Sequence, residues 1–174
     1  MPKGMLPIYT QVVSGSSTTS FLFNNIPQTF TDLLIKCSWR SANNSAGYTT
    51  QILMNNLGGN GIYSHTTLTG NGATVSSINA IPSGITYGYG GVINEASTTS
   101  NTFTNMDIYI PNYTSSLVKQ YTVDGATENN ATTAYVYSIA NLSQNSAPVT
   151  SIYLSPFSQT LVAGSSVTIY GIGR

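Results

Sequence analysis

The sequence predicts an all-β domain, built as one antiparallel β-sandwich of roughly ten to twelve short strands. Three observations lead to this prediction. Apolar and polar residues alternate in short runs, clusters rich in Gly, Asn, Ser and Pro separate the runs, and no segment has the three-to-four-residue periodicity of an amphipathic helix. A chain of 174 residues fits one domain. We divide it into an N-terminal arm, residues 1–7, and a sandwich, residues 8–174.

The clearest strand is the run from Asp32 to Arg40. Alternation places Leu33, Ile35, Cys37 and Trp39 on one face and polar residues on the other, so the first face is expected in the core. Trp39 is interpreted as a packing residue, with ligand stacking as the alternative. The run from Thr104 to Pro111 alternates in the same way, and its expected core residues are Met106, Ile108 and Ile110.

The chain ends in two alternating runs, Thr150–Phe157 and Leu161–Ile172, with Pro156 and Gly164 near the break between them. We interpret them as a closing β-hairpin whose second strand buries Val167 and Ile169. Strand spacing alone leaves jelly-roll, immunoglobulin-like and barrel topologies open. No Cys-Trp-Cys framework supports the immunoglobulin option, and the fold that we predict is a jelly-roll-like sandwich.

The composition is polar but almost uncharged. Charged residues make up 6% of the chain, five basic and five acidic, where ordinary domains carry about 25%. This argues against a nucleic-acid partner and against binding to an anionic membrane. We find neither a signal peptide nor an apolar run near the roughly 18 residues of a membrane span, so we expect a protein made in a cytoplasm without cleavage.

One aromatic segment is a candidate contact site. In Tyr87–Gly91, two tyrosines alternate with glycines, and exposed Tyr87 and Tyr89 would suit a subunit contact or glycan stacking. The alternative, which we prefer, is a glycine-kinked strand or bulge.

The residues that carry chemistry are few. His65 and Cys37 are each the single residue of their type, which leaves no His/Cys cluster for a metal, and Cys37 is interpreted as a buried apolar residue. A glycosidase would need two carboxylates facing each other across a cleft. The candidates for such a pair are Asp32, Glu95, Asp107, Asp124 and Glu128. We predict a protein that is not an enzyme and has no catalytic residue, metal or cofactor.

Three short stretches, Phe23–Leu33, Ile110–Tyr113 and Leu161–Ile172, resemble small virion proteins of tailed bacteriophages, often phages of aquatic bacteria. The proteins of that group are tail, fibre or head-decorating (cement) structural proteins. The resemblance implies a β-sandwich that assembles on a symmetric particle, as a homotrimer and beside the major capsid or tail proteins, without a cofactor. It also implies a location in the virion. A lectin-like module that binds host surface glycan is the alternative function.

Overall fold

The computed structural model describes residues 4–15, 17–44, 49–80, 84–128 and 134–173, and these ranges contain twelve β-strands and no helix. None of these segments is therefore a helix that could cross a membrane. The strands are β1 (Met5–Val12), β2 (Phe21–Phe23), β3 (Asp32–Trp39), β4 (Thr49–Met54), β5 (Tyr63–Gly70), β6 (Val75–Ala80), β7 (Gly88–Val92), β8 (Thr104–Ile110), β9 (Lys119–Glu128), β10 (Ala134–Ser143), β11 (Ile152–Ser155) and β12 (Ser166–Ile172).

The strands form two sheets that enclose one core, so the all-β sandwich is confirmed. The large sheet has eight strands in the order β1-β12-β3-β8-β9-β10-β5-β6, and the small sheet has four in the order β2-β11-β4-β7. All strand pairs are antiparallel.

Eight of the strands pair in a nested order. β1 pairs with β12, β2 with β11, β3 with β8 and β4 with β7, as in one long hairpin wrapped over itself. The pairs β12·β3 and β11·β4 then complete the two sheets. This arrangement is a jelly roll. The other four strands, β5, β6, β9 and β10, are two insertions that widen the large sheet beyond the small one.

The predicted C-terminal hairpin is wrong. β11 pairs with β2 and β4 in the small sheet, whereas β12 lies between β1 and β3 in the large sheet. The segment that contains Pro156 and Gly164 therefore crosses from one sheet to the other. Alternation predicted both strands, but it carries no information about which strand is the partner.

Two boundaries also differ from the sequence analysis. Met5, Leu6 and Pro7 belong to β1 and pair with β12, so the paired chain begins within the region assigned to the N-terminal arm. The sequence predicts a strand over 115–124 and a polar connection over 125–132, whereas the strand runs from Lys119 to Glu128. Residues 1–3 of the arm lie outside the described part of the chain.

The core forms where the two sheets face each other. The nine residues expected there are buried: Leu33, Ile35, Cys37, Trp39, Met106, Ile108, Ile110, Val167 and Ile169. They form rows across three strands, because Val167, Cys37 and Met106 lie opposite one another, as do Ile169, Ile35 and Ile108. Burying each large aliphatic side chain contributes about 1.5–3 kcal/mol.

Glycines let β7 lie close to the large sheet. The Tyr137 ring fits between Gly91 and Gly125, and the Tyr121 hydroxyl lies against Gly88, so a Cβ atom at any of the three glycines would overlap a tyrosine. Gly91 also adopts a φ of 84° next to a register shift in the β4·β7 pair. Only glycine adopts this conformation readily.

We expect Gly125→Ala to lower the free energy of unfolding by about 2 kcal/mol, because the added methyl group overlaps the buried Tyr137 ring. The matched control is Gly70→Ala in β5, where a Cβ atom would lie 3.4 Å from Val136, an ordinary contact. This control should be neutral or slightly stabilising. Urea unfolding of the two variants tests the difference, and equal stabilities would contradict the close-packing argument.

Candidate functional site

Of the Tyr87–Gly91 segment, Gly88 to Gly91 belong to β7 and Tyr87 directly precedes the strand, so the segment is not an exposed aromatic loop. Tyr89 is half-buried and stacks on His65, with ring centroids 4.6 Å apart and an interplanar angle of 17°. The Asn141 amide fixes the strand by accepting from Tyr89 N and donating to Tyr89 O, both at 3.0 Å. Tyr87 is half-buried, and its ring centroid lies 5.5 Å from that of Phe157. The structure thus has the glycine bulge, and neither tyrosine is fully exposed.

A pocket of about 420 Å³ lies beside Tyr89, between the inner face of β5, β9 and β10 and the chain from β7 to residue 98. We call it the β7 pocket. Its size lies within the usual range for small-molecule sites. Its lining combines aromatic rings, hydroxyl groups and two carboxylates, contributed by Tyr89, Tyr135, Thr67, Thr69, Thr98, Glu95 and Glu128.

Two buried hydroxyl-bearing side chains in the pocket lining have unused hydrogen-bonding capacity. Thr67 Oγ1 and the Tyr137 hydroxyl make no hydrogen bond in the described structure. Burial raises the pKa of Tyr137, so its hydroxyl stays neutral at physiological pH. Buried polar groups without partners are uncommon in folded proteins, and a bound molecule is one way in which they are satisfied.

The outer wall of the pocket is held by a buried arginine. Arg40 donates to Thr98 Oγ1 at 3.0 Å and to backbone oxygens of Ala96, Thr98, Thr99 and Thr102 at 2.8–3.3 Å. The loop after β7 is therefore wrapped around one guanidinium group. This network fixes the pocket wall, because charge-assisted hydrogen bonds are stronger than neutral ones.

Glu95 and Glu128 line the same pocket, so two of the five carboxylates considered for glycoside hydrolysis lie at one cavity. Glu128, however, is used as a structural acceptor. Its Oε1 accepts from Thr99 N at 2.8 Å and Thr102 Oγ1 at 2.9 Å, and its Oε2 accepts from Thr99 Oγ1 at 3.1 Å. A carboxylate held in this way suits binding better than proton transfer. No local pattern in the sequence predicts that residues 95 and 128 line one pocket.

A second concave surface, of about 640 Å³, crosses the outer face of the large sheet. We call it the outer groove. Its lining includes a row of residues on β8, β9, β10, β5 and β6, namely Tyr109, Thr122, Ala140, Thr66 and Asn79. The row is uncharged.

The far edge of the large sheet exposes large aliphatic side chains. Val136, Leu68 and Val75 lie on the outer face of β10, β5 and β6 with 62%, 52% and 72% of their surface exposed, and Ile78 on the opposite face of β6 is 64% exposed. We call these four residues the β6 corner. Scattered exposed apolar residues are normal, but a cluster on neighbouring strands indicates a contact surface.

Most of the described charges are used inside the molecule. Lys36 pairs with Asp107 at 2.6 Å, Asp32 accepts from Tyr109 and Asn112 N at 2.7 and 2.8 Å, and the buried Lys119 donates to three backbone oxygens. Asp124 is exposed, and it makes no hydrogen bond or ion pair within the described part of the chain. The described surface therefore has little charge available to attract a charged partner.

The remaining chemistry is sparse. Among the described residues no group of three His, Cys, Asp or Glu is placed to hold a metal ion. Burial strongly raises the pKa of the Cys37 thiol, which disfavours the reactive thiolate.

Comparisons with protein-family models, with curated proteins and with solved structures gave no match for this chain.

His65 makes stability depend on pH. Burial lowers its pKa from the ordinary 6.5, so the unfolded chain binds a proton at higher pH than the folded chain does. The contribution of His65 to stability is therefore fully present above pH 6.5. It is lost as the pH decreases from 6.5 towards the lower pKa of the folded state. We expect the melting temperature to fall between pH 7.0 and 5.0.

The comparison variant is His65→Phe, which keeps the ring stack on Tyr89 and cannot titrate. Because His65 is the only histidine and carboxylates titrate near pH 4, the variant should melt at nearly the same temperature across this range. An equal decrease in both proteins would show that another group causes it.

Proposed function

We propose that this chain is a non-enzymatic structural protein of a bacteriophage virion, a capsid-decoration (cement) protein or a tail or fibre component. In this role it stabilises the particle by burying its surface against copies of itself and against other virion proteins. The observation that carries the proposal is the β6 corner, a cluster of exposed aliphatic side chains on a sheet with little free charge.

The surface chemistry supports assembly. Exposed apolar side chains gain free energy when a partner covers them, at about 25 cal/mol per Å² of apolar area. A protein that functions alone in solution usually keeps its surface charged to prevent association. Here Lys36 and Asp107 neutralise each other, while Arg40 and Lys119 are buried.

The fold supports the same proposal as an analogy. Jelly rolls form viral capsid and lectin domains, and they also serve many other functions. The nested pairing of β1–β4 with β7, β8, β11 and β12 therefore agrees with a virion role without requiring it. The three stretches that resemble tailed-phage virion proteins point in the same direction.

The test is to locate the chain in purified virus particles. We expect mass spectrometry to detect it at a fixed copy number, and an electron-microscopy map to place it on the head or the tail. Loss of head stability in particles that lack the chain would select decoration, whereas loss of tails or adsorption would select the tail. Expression in infected cells without incorporation into particles would contradict the proposal.

A second candidate is binding of host glycan, and the β7 pocket favours it. The pocket presents Tyr89 and Tyr135 for stacking against sugar C–H groups, and it presents Glu95 and Glu128 for hydrogen bonds to sugar hydroxyls. Its carboxylates favour neutral sugars over acidic ones, because like charges repel. This candidate replaces the exposed Tyr87–Gly91 loop as the proposed glycan site.

Saturation-transfer NMR with glucose, galactose, N-acetylglucosamine and glucuronate tests this candidate. We expect at least one neutral sugar to bind and glucuronate to bind at least tenfold more weakly. Ser97→Trp at the exposed rim of the pocket should abolish binding, whereas Ser138→Trp on the outer face of β10 should not. Binding that survives Ser97→Trp but is lost in Ala140→Trp would assign the sugar to the outer groove and contradict the β7 pocket.

A further inference from the structure

The free edge of β6 indicates how two copies of this chain associate. β6 pairs with β5 in an unbroken register from His65↔Ala80 to Gly70↔Val75, and no described strand pairs with its other side. We propose that β6 pairs antiparallel with β6 of a second copy, about a two-fold axis at Ile78. This inference rests on the proposed structural function, because it names the surface through which copies meet.

The other three sheet edges carry features that oppose further pairing. β1 contains Pro7 and a register shift between Pro7 and Tyr9. β2 is only three residues long, and β7 contains the Gly91 bulge. Natural proteins use prolines, bulges, short strands and charges to block edges. β6 has none of these: its six residues, Val-Ser-Ser-Ile-Asn-Ala, include no proline, no charge and no bulge.

The sandwich leaves both faces of β6 open. The small sheet ends at β7, whose main contacts in the large sheet are with β5, β8, β9 and β10 and not with β6. Val75 on the outer face and Ile78 on the inner face are therefore both largely exposed. A flat docking partner would cover one face only. A strand added to the edge extends both faces and also satisfies the open backbone N–H and C=O groups.

The lack of charge favours a second copy as the partner. A two-fold contact places each residue near the same residue of the other copy, so a charge close to the axis would repel itself. β6 carries none, and the residues of β5 on the outer face beside it, Ser64, Thr66, Leu68 and Gly70, carry none either. An edge adapted to a charged partner would show complementary charge instead.

The pleat restricts the register. Val75, Ser77 and Asn79 face outward, while Ser76, Ile78 and Ala80 face inward, and opposed residues in a continuous sheet share a face. A two-fold axis must therefore lie between two copies of the same residue, so that this residue faces itself across the contact. An axis at Ile78 brings the two exposed isoleucines together, whereas an axis at Ser77 places each of them opposite serine. Contact between apolar side chains favours the axis at Ile78.

Cysteine cross-linking tests the pairing. Directly opposed residues in antiparallel strands have Cα atoms about 4.5–5.5 Å apart, within the range that a disulfide spans. Under mild oxidation Ile78→Cys should form a covalent dimer in high yield. Ser138→Cys, on the outer face of β10, and the wild type with its buried Cys37 should not. A dimer from Ser77→Cys but not from Ile78→Cys would overturn the axis, and no dimer from either would overturn the pairing.

A charge variant supplies the second measurement. Ile78→Lys should convert the dimer to a folded monomer in sedimentation velocity, whereas Thr10→Lys on the β1 edge should remain dimeric. A wild-type monomer that is still incorporated into virus particles would refute the β6 pairing and leave the structural function intact. A β6-linked dimer that is absent from particles would refute the function and leave the pairing intact. A dimer, moreover, differs from the trimer that the resemblance implies.

Discussion

The contact between tyrosine rings and glycine backbone sets the geometry of this sandwich. Gly88 and Gly91 on β7 and Gly125 on β9 leave the space that Tyr121 and Tyr137 occupy, so the edge of the small sheet lies against the middle of the large one. The position of β7 in turn determines which part of the large sheet is covered. On one side the chain after β7 closes the β7 pocket, and on the other β6 extends past the covered area.

Buried cations perform a second structural task. Arg40 and Lys119 are almost completely buried. Backbone oxygens of the loop after β7 surround Arg40, and those of the loops before β9 and after β10 surround Lys119. A buried charge without partners is costly, so these loops must keep their shape for the charge to remain solvated by the protein. The chain has few charges, and these two interact with its own loops. The loops are therefore ordered, and the outer surface is left with little charge.

Local patterns in the sequence predicted strands well and their partners poorly. The alternation from Leu33 to Trp39 requires only the period of a single strand, and its buried face follows directly. The pairing of β12 depends on β1 and β3, which are far away in sequence, so no local pattern predicts it. The sequence predicts residues 125–128 as part of a polar connection, yet they pair with β10, and the Tyr137 ring covers Gly125.

The candidate site was predictable only in part. The tyrosine–glycine alternation at Tyr89 identified the right segment and favoured a bulge, but its stacking on His65 depends on β5, a separate strand. Glu95 and Glu128 reach one pocket because β9 and the loop after β7 are brought together by tertiary structure.

The nested strand order also has a kinetic consequence. The first strand pairs with the last, so the jelly roll forms only after the whole chain is available, and such non-local pairing is slow. The inserted hairpins β5·β6 and β9·β10 join neighbours in sequence, and they are therefore the parts able to form first.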